Sequence, residues 1–270
     1  MIVPRKVNDF LLAAVASVAI LAAPVVAQAA AFGAAGDRSV PTTLLRWLPL
    51  ILLGPQGEFG GFVLNIAVSV LAMGIGTVLG LLLGISQTSL NRIVRISAWS
   101  ITQFFRNSPW LVLLFFVILL LPFNARIGPM AIALPAWLKA TLGLSLAIMG
   151  NVSEIVRGAI NSIPTGQWEA ARSLAFTRRQ ILWRIILPQC VKRMLPPWMN
   201  WYAILTMATP LISIVGVNDA MTMTQDALAS EQRSELLIPM YLMLLVLFFC
   251  YCYPIARLTQ YFERKFAVIS

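Results

Sequence analysis

The chain has 270 residues, of which 59% are hydrophobic and only 11% charged, with a mean hydropathy of +0.83. Soluble domains carry roughly a quarter charged residues, so this composition excludes an ordinary soluble fold and implies an integral membrane protein. Its apolar runs have helical length, without the alternation of barrel strands. The net charge of +10 reads as basic loops beside a membrane rather than as a nucleic-acid surface. There is no histidine, which removes the commonest general base and metal ligand. Cys190, Cys250 and Cys252 fit no zinc or redox spacing. No P-loop glycine pattern occurs, so any ATP used here is bound by another chain.

The first apolar run, 10–32, follows Arg5 and Lys6 and is read as a retained N-terminal transmembrane helix (1–32), although its AQA-Ala end also has the form of a signal-peptidase site. A connection, 33–58, carries an apolar patch from Leu48 to Leu53 placed along the membrane surface. The second span, 60–86, has Gly76, Gly80 and Gly84 at the four-residue spacing that lets helices approach closely in lipid. The third, about 97–122, is split by FRNSP, with Ser108 as N-cap and Pro109 as first residue of a fresh helix. The fourth, about 131–158, contains Asn151, Ser153 and Glu154. The fifth, about 198–217, contains Thr206, Thr209 and Pro210, and the sixth covers 237–258 after a polar loop, 218–235.

With the N-terminus inside and six crossings, only Arg38, Arg46, Arg126, Lys139 and Arg233 of the 20 Lys and Arg residues fall outside. This asymmetry predicts a cytoplasmic N-terminus, a cytoplasmic C-terminus and a long cytoplasmic link at 161–197. Removing the first helix leaves the orientation of the other spans unchanged.

That link reads as two short helices. The first begins near Pro164 and runs through Leu174, with Glu169 near its N-terminal end. Trp168, Ala171 and Leu174 make one face apolar, while Arg172 and Arg178 point elsewhere. Thr177 and Gln180 form a T-x-x-Q capping box that opens the second helix, which ends before Pro188. Such a helix either floats among headgroups or docks into a partner, and pattern alone leaves both open.

EAARSLAF with ILPQ downstream resembles the EAA motif, E-A-A-x-x-x-G with I-x-L-P, of permease subunits of importer-type ABC transporters. FRNSPWLVLLFF (105–116), SEIVRGAINSIPTGQWEAA (153–171) and the YFERKFA ending resemble the polar amino-acid branch, which includes histidine, glutamine and glutamate permeases. The likeness covers about 59–266. It implies the type I ABC importer permease fold, all-α, with a five-helix core plus the N-terminal helix. It also implies an inner-membrane subunit without a catalytic residue or its own cofactor. ATP and Mg would be bound by a partner ATPase dimer, a second permease subunit would complete the pathway, and a periplasmic solute-binding protein would deliver the solute. The motif then marks a coupling helix, with Gly166, Glu169, Ala170, Ala171, Arg172, Leu174 and Ala175 at the ATPase contact. Two departures stand out. Ala175 replaces the family's glycine, at a cost of roughly 1 kcal/mol if the backbone is left-handed, so the break there is expected to be looser or differently built. Met207 and Ala208 replace a lysine and an acid, so the role of that pair does not carry over.

Candidate pathway residues are Asn107, Ser108, Asn151, Ser153, Glu154, Thr209 and Ser213. Each has a plainer reading. Glu154 fits an i, i+3 ion pair with Arg157 as well as a functional acid. Asn151 and Ser153 fit helix–helix hydrogen bonding as well as ligand contact. The Arg106–Ser108 segment fits a surface turn as well as a carboxylate site. Thr209–Pro210 marks a kink beside a cavity or another helix. Asp219, Asp226, Glu231 and Glu235 either face the binding protein or are simply solvated. An ion-driven secondary transporter would need more buried acids or an inverted repeat. A scaffold that recruits an ATPase without transporting is the other alternative.

Overall fold

A computed structural model of the protein describes residues 39–127 and 130–266; the expected helix at 10–32 lies outside them. The described helices are α1 (Val40–Leu53), α2 (Gly61–Ser86), α3 (Arg92–Arg106), α4 (Trp110–Leu120), α5 (Ala136–Asn161), α6 (Thr165–Ser173), α7 (Leu187–Ala208), α8 (Ala220–Glu231) and α9 (Leu237–Phe266). Between α4 and α5 the chain forms an antiparallel hairpin of β1 (Asn124–Ile127) and β2 (Met130–Ala133), with Asn124 opposite Ala133. The fourth span was expected to begin inside this hairpin. Pro135 instead provides the N-cap of α5.

Among the described residues, three helical stretches are long and apolar enough to cross a membrane: Gly61–Ser86, Arg178–Val215 and Ser234–Lys265. The protein is a multi-pass membrane protein. The expected third crossing is a broken pair, α3 and α4, bent by 105°. Eleven residues in α4 reach only about 16 Å, half of a hydrocarbon core. Pro109 occupies the N-cap of α4 rather than its first turn. Ser108 serves the preceding helix instead, donating to the Phe104 carbonyl at 2.6 Å. α5 matches α2 in length but carries Lys139, Asn151, Ser153, Glu154 and Arg157, and so falls outside the apolar set; most of its residues are buried. Burial among other helices removes the need for an apolar surface.

The chain divides into two compact units. One comprises the segment up to Ala67 and Met207–Ile255. Its core joins Ile51, Phe62, Met223, Leu236, Met240 and Leu244, and Phe62 meets the Phe248 ring edge-on at 5.0 Å. The expected polar loop at 218–235 is mostly helix α8, because Asp219 caps it: Oδ1 accepts from the Thr222 N–H at 2.9 Å. Asn65 Nδ2 donates to Asp219 Oδ2 at 3.0 Å and to Thr209 Oγ1 at 3.2 Å, while Asn65 Oδ1 accepts from the Ala220 N–H at 3.0 Å.

The other unit comprises Val68–Thr206 and the chain from Ala256. A methyl group added at Gly76, Gly80 or Gly84 would lie 2.6, 2.7 or 2.6 Å from Ile148, Val152 or Val156, so these glycines set the close approach of α2 to α5. Lys139 is fully buried. Its ammonium donates to the Leu121 carbonyl at the end of α4 at 2.7 Å and stands 3.3 Å from the Phe123 ring centroid.

The second helix expected in the 161–197 link does not end before Pro188. One turn, Arg178–Gln180, leads into a π-helical stretch, Ile181–Ile186, and then directly into α7. Proline lacks the N–H that an α ladder requires. The π turn, whose bonds are already shifted by one residue, admits Pro188 without a break. Beyond Ala208 the helix tightens to 3-10 geometry over Thr209–Val215, where a proline kink was expected.

Candidate functional site

The link at 161–197 is held at several points. Pro164 supplies the N-cap of α6. At the other end Ala175 has φ 58°, its N–H donates to the Arg172 carbonyl at 2.9 Å, and the Phe176 N–H reaches the Ala171 carbonyl at 3.2 Å. This is a Schellman turn built as glycine would build it, with alanine in the left-handed position. The expected looser break is therefore not observed; the helix ends regularly and carries the strain. The capping box follows as expected: Thr177 Oγ1 accepts from the Gln180 N–H, and Gln180 Oε1 accepts from the Thr177 N–H at 2.8 Å.

Glu169, Ala170, Arg172, Leu174 and Ala175 are exposed, as is Gly166, whereas Ala171 is buried. Leu174 was expected on the apolar face with Trp168 and Ala171. It occupies the C-cap and is 73% exposed. Arg178 does not point away either. Its guanidinium lies 5.7 Å from the Trp168 ring centroid and donates to the Thr88 carbonyl at 2.8 Å. Arg193 donates to Ser162, and Gln189 donates to Gln167 Oε1 at 3.3 Å.

A cavity of about 430 Å³ lies between α5 and α7. α5 supplies Asn151, Glu154, Ile155, Gly158 and Ser162 at the three- and four-residue spacing of one helix face. α7 supplies Arg193, Pro197 and Trp201 at four-residue intervals, and Arg106 comes from the end of α3. Glu154 Oε2 accepts from Arg157 Nη2 at 2.7 Å and lies 3.7 Å from Arg106 Nη1. The expected i, i+3 pair is thus present, extended by a second arginine. Asn151 Nδ2 donates to the Ala147 carbonyl at 2.9 Å. Trp201 stacks on Trp110 with ring centroids 6.3 Å apart.

Of the candidate pathway residues, only Asn151 and Glu154 meet at this cavity. Asn107 Nδ2 binds back to the Gln103 carbonyl at 2.7 Å, and Ser108 also closes α3. Ser153 is fully buried and bonded to Gln87 and Thr102. Thr209 belongs to the Asn65 network, and Ser213 donates to the Pro210 carbonyl at 2.7 Å. The sequence reading omitted Ser162, Arg193 and Trp201, although the helical register running on from Asn151 and Glu154 leads to Ser162.

Residues 76–268 match the family model described as binding-protein-dependent transport system inner membrane component. The chain belongs to this family. Among inner membrane components of this kind, it is 28% identical over 209 residues to the inner membrane amino-acid ABC transporter permease protein YhdY of Escherichia coli (strain K12), covering 77% of the chain and 56% of YhdY. It is likewise 28% identical over 207 residues to the L-cystine transport system permease protein TcyB of Bacillus subtilis (strain 168), covering 76% of the chain and 85% of TcyB. Thus the chain spans little more than half of YhdY. A solved chain from an amino acid ABC transporter with histidines superposes with a TM-score of 0.68 at 23% identity, covering 83% of this chain and 97% of that one. The fold is that of an ABC transporter permease of the type I importer class.

Proposed function

We propose that this inner membrane component is the permease subunit of an ATP-driven importer for a polar amino acid or related small solute, working by alternating access. A separate cytoplasmic ATPase dimer hydrolyses ATP, a second permease subunit, identical or related, completes the pathway, and a periplasmic binding protein delivers the solute. Both chain termini are cytoplasmic, in keeping with the basic loops. The observation that carries this reading is the exposed helix α6. It presents Glu169, Ala170 and Arg172 outward on a segment tied by Arg193, Gln189 and Arg178 to its neighbours. A small, rigidly based helix of this kind transmits force when a partner cleft closes on it. A helix lying in headgroups has no use for such ties.

The cavity between α5 and α7 supports the solute class. It combines two guanidiniums, Arg106 and Arg193, with the Glu154 carboxylate, a charge set complementary to a zwitterion.

The decisive experiment replaces Glu169 with lysine. Loss of ATPase co-purification and of ATP-dependent uptake is expected. If both stay at the wild-type level, α6 is not the coupling element. Glu154→Gln, with co-purification intact, is expected to weaken uptake of a polar amino acid; unchanged uptake removes the cavity from the pathway.

A further inference from the structure

The charges around the cavity between α5 and α7 do not balance. Glu154 is the one carboxylate in its lining, and that carboxylate is already met. Arg157 donates to its Oε1 at 3.3 Å and to its Oε2 at 2.7 Å, and Gln103 Nε2 adds a longer bond to Oε1 at 3.4 Å. Neither Arg157 nor Gln103 lines the cavity, so Glu154 is neutralised from outside it. The two guanidiniums that do line it keep free donors. Among the described residues Arg106 makes no side-chain hydrogen bond; it stands 3.7 Å from Glu154, beyond hydrogen-bond distance, with 46% of its side chain exposed. Arg193 uses Nη1 on Ser162 and, among the described residues, leaves Nε and Nη2 over. Guanidinium forks in a partly apolar, net positive space call for carboxylates.

Their spacing indicates how many. Arg106 stands beside Glu154 and Arg193 beside Ser162. Those two positions are eight residues apart on α5, about 12 Å along the helix axis. An arginine–carboxylate contact spans about 4 Å between the two central carbons, so one at each end leaves about 4 Å between the carboxyl carbons. Joined by three or four bonds of about 1.5 Å, the carboxyl carbons of aspartate or glutamate stand roughly 4–5 Å apart. A solute with a single carboxylate leaves one guanidinium unmatched. Ile155 and Gly158, between these positions on α5, and Pro197 on α7 form an apolar wall that suits the methylene groups between two carboxylates. Asn151 uses Nδ2 on the Ala147 carbonyl and keeps Oδ1 as an acceptor for an ammonium.

We propose that this cavity selects an acidic amino acid, a solute with two carboxylates and one ammonium. The inference rests on the reading of the cavity as part of the solute pathway and narrows the solute class given there. One carboxylate meets Arg106 and the other Arg193, the methylene groups lie against Ile155 and Pro197, and the ammonium meets Asn151 Oδ1 beside Glu154. Glutamine has the shape of glutamate, but its amide brings N–H donors to a guanidinium that is itself a donor and adds no negative charge. Arginine or lysine as solute brings a further positive charge to a space that is already net positive.

The test is equilibrium binding of radiolabelled L-glutamate to the full chain with its native partners in nanodiscs, without nucleotide and without any solute-binding protein, in competition with L-aspartate, L-glutamine and L-arginine. Glutamate or aspartate is expected to bind at least about tenfold more tightly than glutamine. Equal affinity for glutamine, tighter binding of arginine, or no binding of any of the four overturns the proposal. Arg106→Gln and Arg193→Gln are each expected to lower the ratio of glutamate to glutamine affinity about tenfold. A fall of both affinities by one common factor is the mark of a structural defect and overturns the assignment of these two arginines. If one variant does not assemble, the other is read, and the wild-type ratio stands as a test by itself. ATP-driven uptake of any polar amino acid by the same preparation, with a binding protein added, reports separately on the importer reading. Intact uptake without a preference for acidic solutes in the binding measurement defeats this proposal alone.

Discussion

Arg193 donates through Nη1 to both the carbonyl and the hydroxyl of Ser162, at 2.7 and 2.8 Å, although 31 positions separate them. Ser162 is the C-cap of α5 and Arg193 lies in α7, so this one guanidinium closes the base of the loop that carries α6. Charge-assisted hydrogen bonds are each worth about 1.5–3 kcal/mol when well sheltered and less at an exposed site such as this. Arg193→Ala is therefore expected to speed limited proteolysis of the link by roughly an order of magnitude or less, with the membrane helices unaffected. An unchanged cleavage rate means that the clamp does not hold the link.

Ala175 offers a change in the stabilising direction. Its φ of 58° costs alanine roughly 1 kcal/mol that glycine does not incur. Ala175→Gly is expected to recover up to that amount, part of it lost again to the freer unfolded chain. Slower hydrogen exchange at the Phe176 amide, which bonds the Ala171 carbonyl, is the measurement. Faster exchange contradicts the account of this turn.

These two sites also show how far the sequence was legible. The capping box at Thr177 and Gln180, the Glu154–Arg157 pair and the glycine row of α2 follow from local spacing, and all are present. The cavity was only half legible. Asn151 and Glu154 are polar residues in an apolar run and attract notice, but Arg193 lies in a basic stretch where any residue has a surface explanation. The polar run after Asn218 read as a loop because its composition hides the cap at Asp219. Pro188 suggested a helix end because the π turn that accommodates it leaves no sequence mark.

Burial raises the Asp219 carboxyl above the ordinary carboxylate range, and hydrogen bonds from Thr222 and Asn65 only partly offset this. A folded value above the unfolded one means that the native form holds more protons as pH rises from the ordinary carboxylate value. Stability of this region is therefore expected to fall with rising pH between the unfolded and folded values, and to level off above them. Asp219→Asn is expected to flatten that slope in thermal melts followed across the acidic range. A slope that persists in the variant assigns the dependence to another group.

Gly80 is the middle of three contacts in which a side chain has no room. Gly80→Ala places a methyl carbon 2.7 Å from Val152 Cβ, an overpacking expected to cost about 1–3 kcal/mol. A lowered melting temperature of the purified protein checks it. No change would show that α2 and α5 separate freely.

The same glycine row has a mechanical consequence. With backbone and side chain interlocked at Gly76, Gly80 and Gly84, this stretch of α2 cannot ratchet along α5 without first lifting away from it. In the alternating-access cycle proposed above, the two move as a single strut. The give that such a cycle requires is then left to segments outside this pair, of which the π-helical stretch before Pro188, with its ladder already shifted, is one.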